Sequence, residues 1–157
     1  MRSEILALAK ARGIMIATAE SCTAGMVAAA LTDLPGSSDV FERGFVTYTN
    51  AAKMQMLDVR AETLKAYGAV SEQVAEEMAL GALAHSDAQL TVSLTGIAGP
   101  GGSEHKPEGR VCFGLVGPNV SRTQTVEFGA LGRDMVRTAA RDHALMLLRD
   151  ALLELPQ

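Results

Sequence analysis

Short apolar runs alternate with helix-patterned segments along this chain, and that alternation restricts its fold more than any other feature. Residues 14–20 (IMIATAE) form an apolar run too short for a helix, bounded by Gly13 and polar Glu20, which predicts a buried strand. Residues 43–49 (RGFVTYT) and 89–99 (QLTVSLTGIAG) have the same character. Between them lie helix patterns. Residues 3–11 put Ile5, Leu6, Leu8 and Ala9 on one face, with Ser3 as N-cap. Residues 24–34 are small and helix-prone and stop at Pro35-Gly36, and residues 36–42 (GSSDVFE) read as loop. Asn50 is expected to cap a helix over 51–57, and a shorter one spans 61–67 before Gly68. Ser71 caps the next, over 71–86, with Val74, Met78 and Leu83 turned inward. Residues 110–117 and 121–128 read as an antiparallel hairpin, and a last helix runs from near Gly132 almost to Leu155.

Strands interleaved with helices, and a hairpin late in the chain, predict an α/β fold: a three-layer α/β/α sandwich around a mixed sheet. The length, 157 residues, suits one domain, and no linker, repeat or low-complexity tract divides it. Residues 1–157 are therefore read as a single domain.

Composition narrows the function classes. Fourteen basic residues stand against eighteen acidic ones, a formal charge of -4. That argues against a nucleic-acid partner, which calls for a basic stripe. No apolar run approaches the roughly 18 residues of a membrane span, so no membrane partner is expected. The N-terminus lacks the uninterrupted apolar stretch of a signal peptide, and the two cysteines, Cys22 and Cys112, have no paired spacing. Both features predict a reduced, cytoplasmic setting. The three histidines, His85, His105 and His143, lie far apart with no HxH, HExxH or cysteine-pair spacing, so no metal and no cofactor is expected.

In open α/β sheets, ligands bind beyond the carboxyl ends of strands, where helix N-termini present amides. Three such ends are chemically loaded: 18–25 (TAESCTAG), 43–53 (RGFVTYTNAAK) and 95–102 (TGIAGPGG). Ser21 at the first suits either a helix cap or a nucleophile on a strand-to-helix turn backed by amides. No GxSxG elbow is present. Lys53, about three residues into the helix capped by Asn50, has a cation opposing the helix dipole, and partial burial would lower its pKa further, as a neutral lysine base requires. A solvated surface lysine is the alternative. Tyr48 is either a core aromatic or a hydroxyl that orients the lysine. The glycine-rich segment is neither a P-loop nor GxGxxG, yet consecutive glycines permit close backbone approach to a ligand.

Four collinear segments, AESCTAG (19–25), GSSDVFERGFVTYTNAAK (36–53), GAVSEQVAEEMA (68–79) and SLTGIAGPGGSEHKPEGRV (93–111), closely resemble the CinA C-terminal domain family. The resemblance covers nearly the whole chain. Family members often carry glycine where Ala24 stands. Long members have a further N-terminal domain, and no activity of that domain is expected here. Stand-alone members are nicotinamide-nucleotide amidohydrolases, so the resemblance implies hydrolysis of nicotinamide mononucleotide (NMN) to nicotinate mononucleotide and ammonia. It also implies a serine–lysine arrangement with a tyrosine, which falls here on Ser21 as nucleophile, Lys53 as base and Tyr48 as orienting group. Glu20, Cys22, Thr23, Arg43, Asn50, Thr95, Gly96 and Gly99 are the expected substrate contacts, with turn amides at Cys22 and Thr23 as candidate oxyanion donors and Arg43 as phosphate partner or structural ion pair. A homodimer or larger homo-oligomer is expected. Two other readings stand beside this one: a cysteine amidase using Cys22 with Glu20 and Lys53, and a non-catalytic module in DNA uptake or repair.

Overall fold

The computed structural model describes residues 1–156. Helix α1 (Arg2–Arg12) leads into β1 (Ile16–Glu20), α2 (Met26–Leu31), a 3-10 turn (Ser37–Asp39) and β2 (Phe41–Val46). Helices α3 (Asn50–Leu57), α4 (Ala61–Tyr67) and α5 (Glu72–Ala84) follow, then β3 (Leu90–Gly96), β4 (Arg110–Gly117), β5 (Val120–Glu127) and α6 (Arg133–Glu154). The sheet order is β2-β1-β3-β4-β5; β2, β1 and β3 are parallel, and β4 and β5 are added antiparallel. Helices α1, α2 and α6 share a core with Ile16, Leu90, Val92 and Leu94 on one face, and α5 packs the other with α3 and α4 against it. This is the mixed α/β/α sandwich that the alternation predicts.

Strands β1 and β3 are buried along almost their full length while β2, at the sheet edge, is largely open to solvent, and β3 is nonetheless half polar. Its threonines and serine are fitted to α5 and the turn before it. Thr91, Ser93 and Thr95 donate their hydroxyls to the carbonyls of Ala79, Ala75 and Ala69 at 2.8, 2.5 and 2.9 Å. Buried hydroxyls paired in this way avoid the desolvation cost of an unmet polar group. Helix α5 also presses close to α3. A Cβ added at Gly81 would lie 2.0 Å from the Leu57 carbonyl oxygen, so only glycine lets the two helices approach this far. That contact fixes α3, the helix that carries Lys53.

Element boundaries differ from the sequence expectation in ways with local causes. Ser3 lies inside α1, and Met1 occupies the N-cap position with no side-chain bond. Thr49, not Asn50, caps α3 by accepting the Ala52 N–H at 3.0 Å, because its β-region backbone just before the helix presents Oγ1 to the first turn. Helix α2 is shorter than expected. It begins late because Ala24 and Gly25 have φ of 47° and 101°, and it ends at Thr32, whose hydroxyl bonds back to Ala28 and Ala29 carbonyls. Residues 36–42 hold the 3-10 turn and the start of β2 rather than loop alone, and Leu83 is half-buried while Ala75, Ala79 and Ala82 share the inward face. Ser71 caps α5 as expected, accepting the Val74 N–H.

Candidate active site

The parallel strands β1, β2 and β3 all point their carboxyl ends at one edge of the sheet. Two hydrogen bonds prolong the pairing past the strand ends: Ser21 N–H donates to Leu94 O at 3.0 Å, and Thr47 N–H to Glu20 O at 2.9 Å. Ser21 and Thr47 are thus held by the rigid sheet. A cavity of about 360 Å³ opens there, and all three loaded segments reach it: Ser21 and Cys22, then Tyr48, Asn50 and Lys53, then Thr95 through Glu104. Arg133, from the first turn of α6, completes the rim.

Strand alternation separates Glu20 from Ser21. Ser21 faces α3, and Lys53 Nζ lies 2.9 Å from its Oγ. The same nitrogen donates to Thr47 O at 2.9 Å and reaches Tyr48 O at 3.4 Å. The Lys53 side chain is 1% exposed, and no carboxylate is bonded to it among the described residues. Burial therefore drives its pKa down from 10.5 to about 8, against a weaker opposing pull that includes Glu104. A neutral amine has two N–H donors and one lone pair. The nitrogen donates to two carbonyls and the Ser21 hydroxyl, and once it loses a proton, above a pH of about 8, it keeps two donors for the carbonyls and gains a lone pair for the serine proton. Lys53 sits fourth in α3, one place deeper than expected, and burial is the first cause of its shift.

Cys22 also borders the cavity, 5% exposed, and burial pushes its thiol up to about 11. It is protonated at neutral pH and a weak nucleophile in that form. Tyr48 is an exposed rim residue rather than a core aromatic; its Oη accepts from Arg133 Nη2 at 2.8 Å, while Arg133 Nη1 donates to Gly99 O at 2.6 Å. Asn50, Thr95, Gly96 and Gly99 all line the cavity, although the Thr95 hydroxyl proton is engaged by Ala69 O.

Three expected substrate contacts lie elsewhere. Glu20 is buried on the α2 side, where its carboxylate accepts from Thr23 Oγ1 and from the Val27 and Ala28 N–H groups at 2.6, 2.9 and 3.0 Å. An anion at a helix start with free amides is a structural cap. Thr23 is fully buried, its hydroxyl given to Glu20, and it does not reach the cavity. Of the two turn residues expected to supply amides, only Cys22 borders the cavity. Arg43, midway along β2, is bonded to His85 O at 2.7 Å and paired with Glu42 at 3.0 Å. It takes the structural ion-pair role. Among the described residues, no group of three or more histidine, cysteine, aspartate or glutamate side chains converges as a metal site, and no helix is long and apolar enough to cross a membrane.

Sequence reasoning missed Arg133. A cation in the first turn of a 22-residue helix opposes the helix dipole, and that misfit was the available signal.

Known proteins resemble this chain in sequence and in fold. The family model of the CinA C-terminal domain matches residues 1–152. The nicotinamide-nucleotide amidohydrolase PncC of Escherichia coli strain K12 is 51% identical over 146 residues, which span 92% of this chain and 88% of that protein. A CinA-like protein of Chloroherpeton thalassium is 58% identical over 109 residues, 69% of this chain and 26% of the longer relative. Among solved structures, the competence/damage inducible protein CihA from Agrobacterium tumefaciens superposes with a TM-score of 0.93 at 46% identity, covering 98% of this chain and 93% of that one.

Proposed function

The chain belongs to the CinA C-terminal domain family, and from that premise we propose that it is a nicotinamide-nucleotide amidohydrolase that uses Ser21 as nucleophile and Lys53 as base. The substrate class rests on the match to the E. coli amidohydrolase over most of both chains. The mechanism rests on one observation: a buried lysine nitrogen 2.9 Å from the Ser21 hydroxyl, with its pKa lowered to about 8.

Neutral Lys53 takes the Ser21 proton as Oγ bonds to the amide carbonyl carbon of NMN. The carbonyl oxygen becomes an oxyanion, for which the Cys22 N–H at the cavity wall is the candidate donor. Lys53 then passes its proton to the amide nitrogen, the C–N bond breaks and ammonia leaves an acyl ester on Ser21. Water attacks that ester, Lys53 accepts its proton, and collapse of the second tetrahedral species returns the proton to Ser21 Oγ and frees nicotinate mononucleotide. In this reading Tyr48 and Arg133 at the rim, with the glycine-rich wall at 96–102, hold the ribose phosphate, which their lining of the cavity supports. A cavity of about 360 Å³ falls in the range usual for small-molecule sites. The cysteine reading is disfavoured because the Cys22 thiol is protonated and Glu20 is committed to capping α2.

Product analysis with purified protein tests the activity. NMN should yield equimolar ammonia and nicotinate mononucleotide, while free nicotinamide, which lacks the anchoring ribose phosphate, turns over poorly. Equal turnover of nicotinamide, or activity abolished by a chelator, overturns the reading.

A further inference from the structure

The turn that carries Ser21 is strained and is held from two sides. Ala24 has φ of 47° and Gly25 follows at 101°, so a residue with a Cβ occupies the left-handed region just after the proposed nucleophile. L-residues pay for that conformation, and it persists only where surroundings enforce it. Glu20 takes the turn's donors, as described above. Within the turn Ala24 N–H donates to Ser21 O at 3.1 Å and Met26 N–H to Thr23 O at 3.0 Å. Two of its carbonyls are bonded as well by a residue from a different element. Arg137 of α6 donates from Nε to Cys22 O at 3.0 Å, and its Nη2 reaches Thr23 O at 3.5 Å. Arg137 is half-buried and does not line the cavity, so it has no direct access to a bound substrate. Arg149, Arg141, Arg122 and Arg110 are each paired with a carboxylate, but Arg137 forms no ion pair among the described residues. Its charge is spent on two peptide carbonyls.

We propose that Arg137 is a positioning residue for catalysis: its guanidinium locks the Cys22 and Thr23 peptides, and so holds the strained turn in the conformation that aims Ser21 Oγ at Lys53. A planar peptide cannot turn its carbonyl without turning the N–H on its other side, so clamping both carbonyls fixes the whole turn between the end of β1 and the start of α2. The clamp acts on the nucleophile and leaves the ribose-phosphate side untouched. Loss of Arg137 therefore lowers kcat and spares KM. The pH midpoint also stays, because Lys53 remains buried.

The proposal rests on the serine–lysine reading, and its test includes a separate arm for that reading. Arg137→Met should lower kcat by about 10-fold to 10²-fold, the usual cost of a small misplacement of reacting groups, with KM for NMN changed less than twofold. Arg137→Lys should recover part of the loss by reaching one carbonyl. The decisive variant is Ala24→Gly in the Arg137→Met background. Glycine adopts positive φ without strain, so the turn no longer needs the clamp and kcat should rise severalfold above Arg137→Met alone. A rise in KM with kcat intact, or no gain from Ala24→Gly in a double variant whose melting temperature matches that of Arg137→Met, overturns the proposal. Ser21→Ala is assayed in parallel. If it is inactive while Arg137→Met is fully active, the clamp alone is refuted; if Ser21→Ala keeps wild-type activity, the serine–lysine reading itself fails.

Discussion

Replacing Lys53 by methionine keeps the apolar stem and removes the buried amine that contacts Ser21 Oγ. In the folded protein the Lys53 pKa falls from 10.5 to about 8 because burial disfavours the cation. The unfolded chain therefore binds more protons between about pH 8 and 10.5, and stability must rise with pH across that window. At 1.36 kcal/mol for each pH unit of the difference, the wild type should gain about 3 kcal/mol over the window relative to Lys53→Met, which has no group to titrate. Other groups that titrate in this range are common to both proteins and cancel in the comparison. Urea unfolding of the two proteins at pH 7 and again at pH 10.5 measures it. The difference between them should shift by about 3 kcal/mol in favour of the wild type at the higher pH. Parallel stabilities at both pH values would refute the claim that burial holds this lysine near neutrality. The same group sets activity: kcat/KM for NMN should rise with pH through a midpoint near 8, as Lys53 loses its proton and becomes a base.

Arg133→Ala should raise KM for NMN about tenfold or more while kcat changes little, read from initial rates of ammonia release, because Arg133 holds the rim through Tyr48 and Gly99. Gly81→Ala should destabilise the fold by about 1–3 kcal/mol and lower kcat as well, since the new Cβ meets the Leu57 carbonyl and pushes α5 from the helix that carries Lys53; a melting curve and a kinetic assay on one sample check both. Glu20→Gln should cost about 2 kcal/mol in urea unfolding, because a buried carboxylate that accepts three hydrogen bonds is replaced by a group whose amide faces donors. Light scattering should return a homodimer or larger at micromolar concentration, and a 16.5 kDa monomer would remove assembly from the account.

The sheet and its covering helices were legible because β1, β3 and β4 are short, largely buried runs ended by serine or glycine, and the helices keep a 3.6-residue period. Ser21, Tyr48 and Lys53 were legible as a set because loaded strand ends in a parallel sheet meet at one edge. What periodicity could not carry was the direction of a side chain at a turn. Glu20 and Ser21 are neighbours, and only the strand's alternation, with its register against β3, sends one to cap α2 and the other to the cavity. Arg43 read equally as an anion partner or a structural ion pair, and β2 pairing places it beside the carbonyl of His85 and the carboxylate of Glu42. Arg133 and Arg137 come from the far end of the chain. Their approach to residues 22, 23, 48 and 99 depends on how α6 crosses the sheet, which no local pattern encodes. Ala24 was legible as a departure from the family's glycine, but its φ of 47° shows that the departure carries strain.

The serine–lysine claim is tested most directly by ammonia release from NMN with Ser21→Ala and Cys22→Ala assayed side by side against the wild type. The account predicts that Ser21→Ala loses about 10³-fold or more in kcat, roughly 4 kcal/mol of transition-state stabilisation, while Cys22→Ala keeps most of its activity. Lys53→Ala should match Ser21→Ala, and combining the two should add little, because they act as one unit. A dead Cys22→Ala beside a Ser21→Ala that turns over NMN normally would contradict the account and assign the chemistry to the thiol.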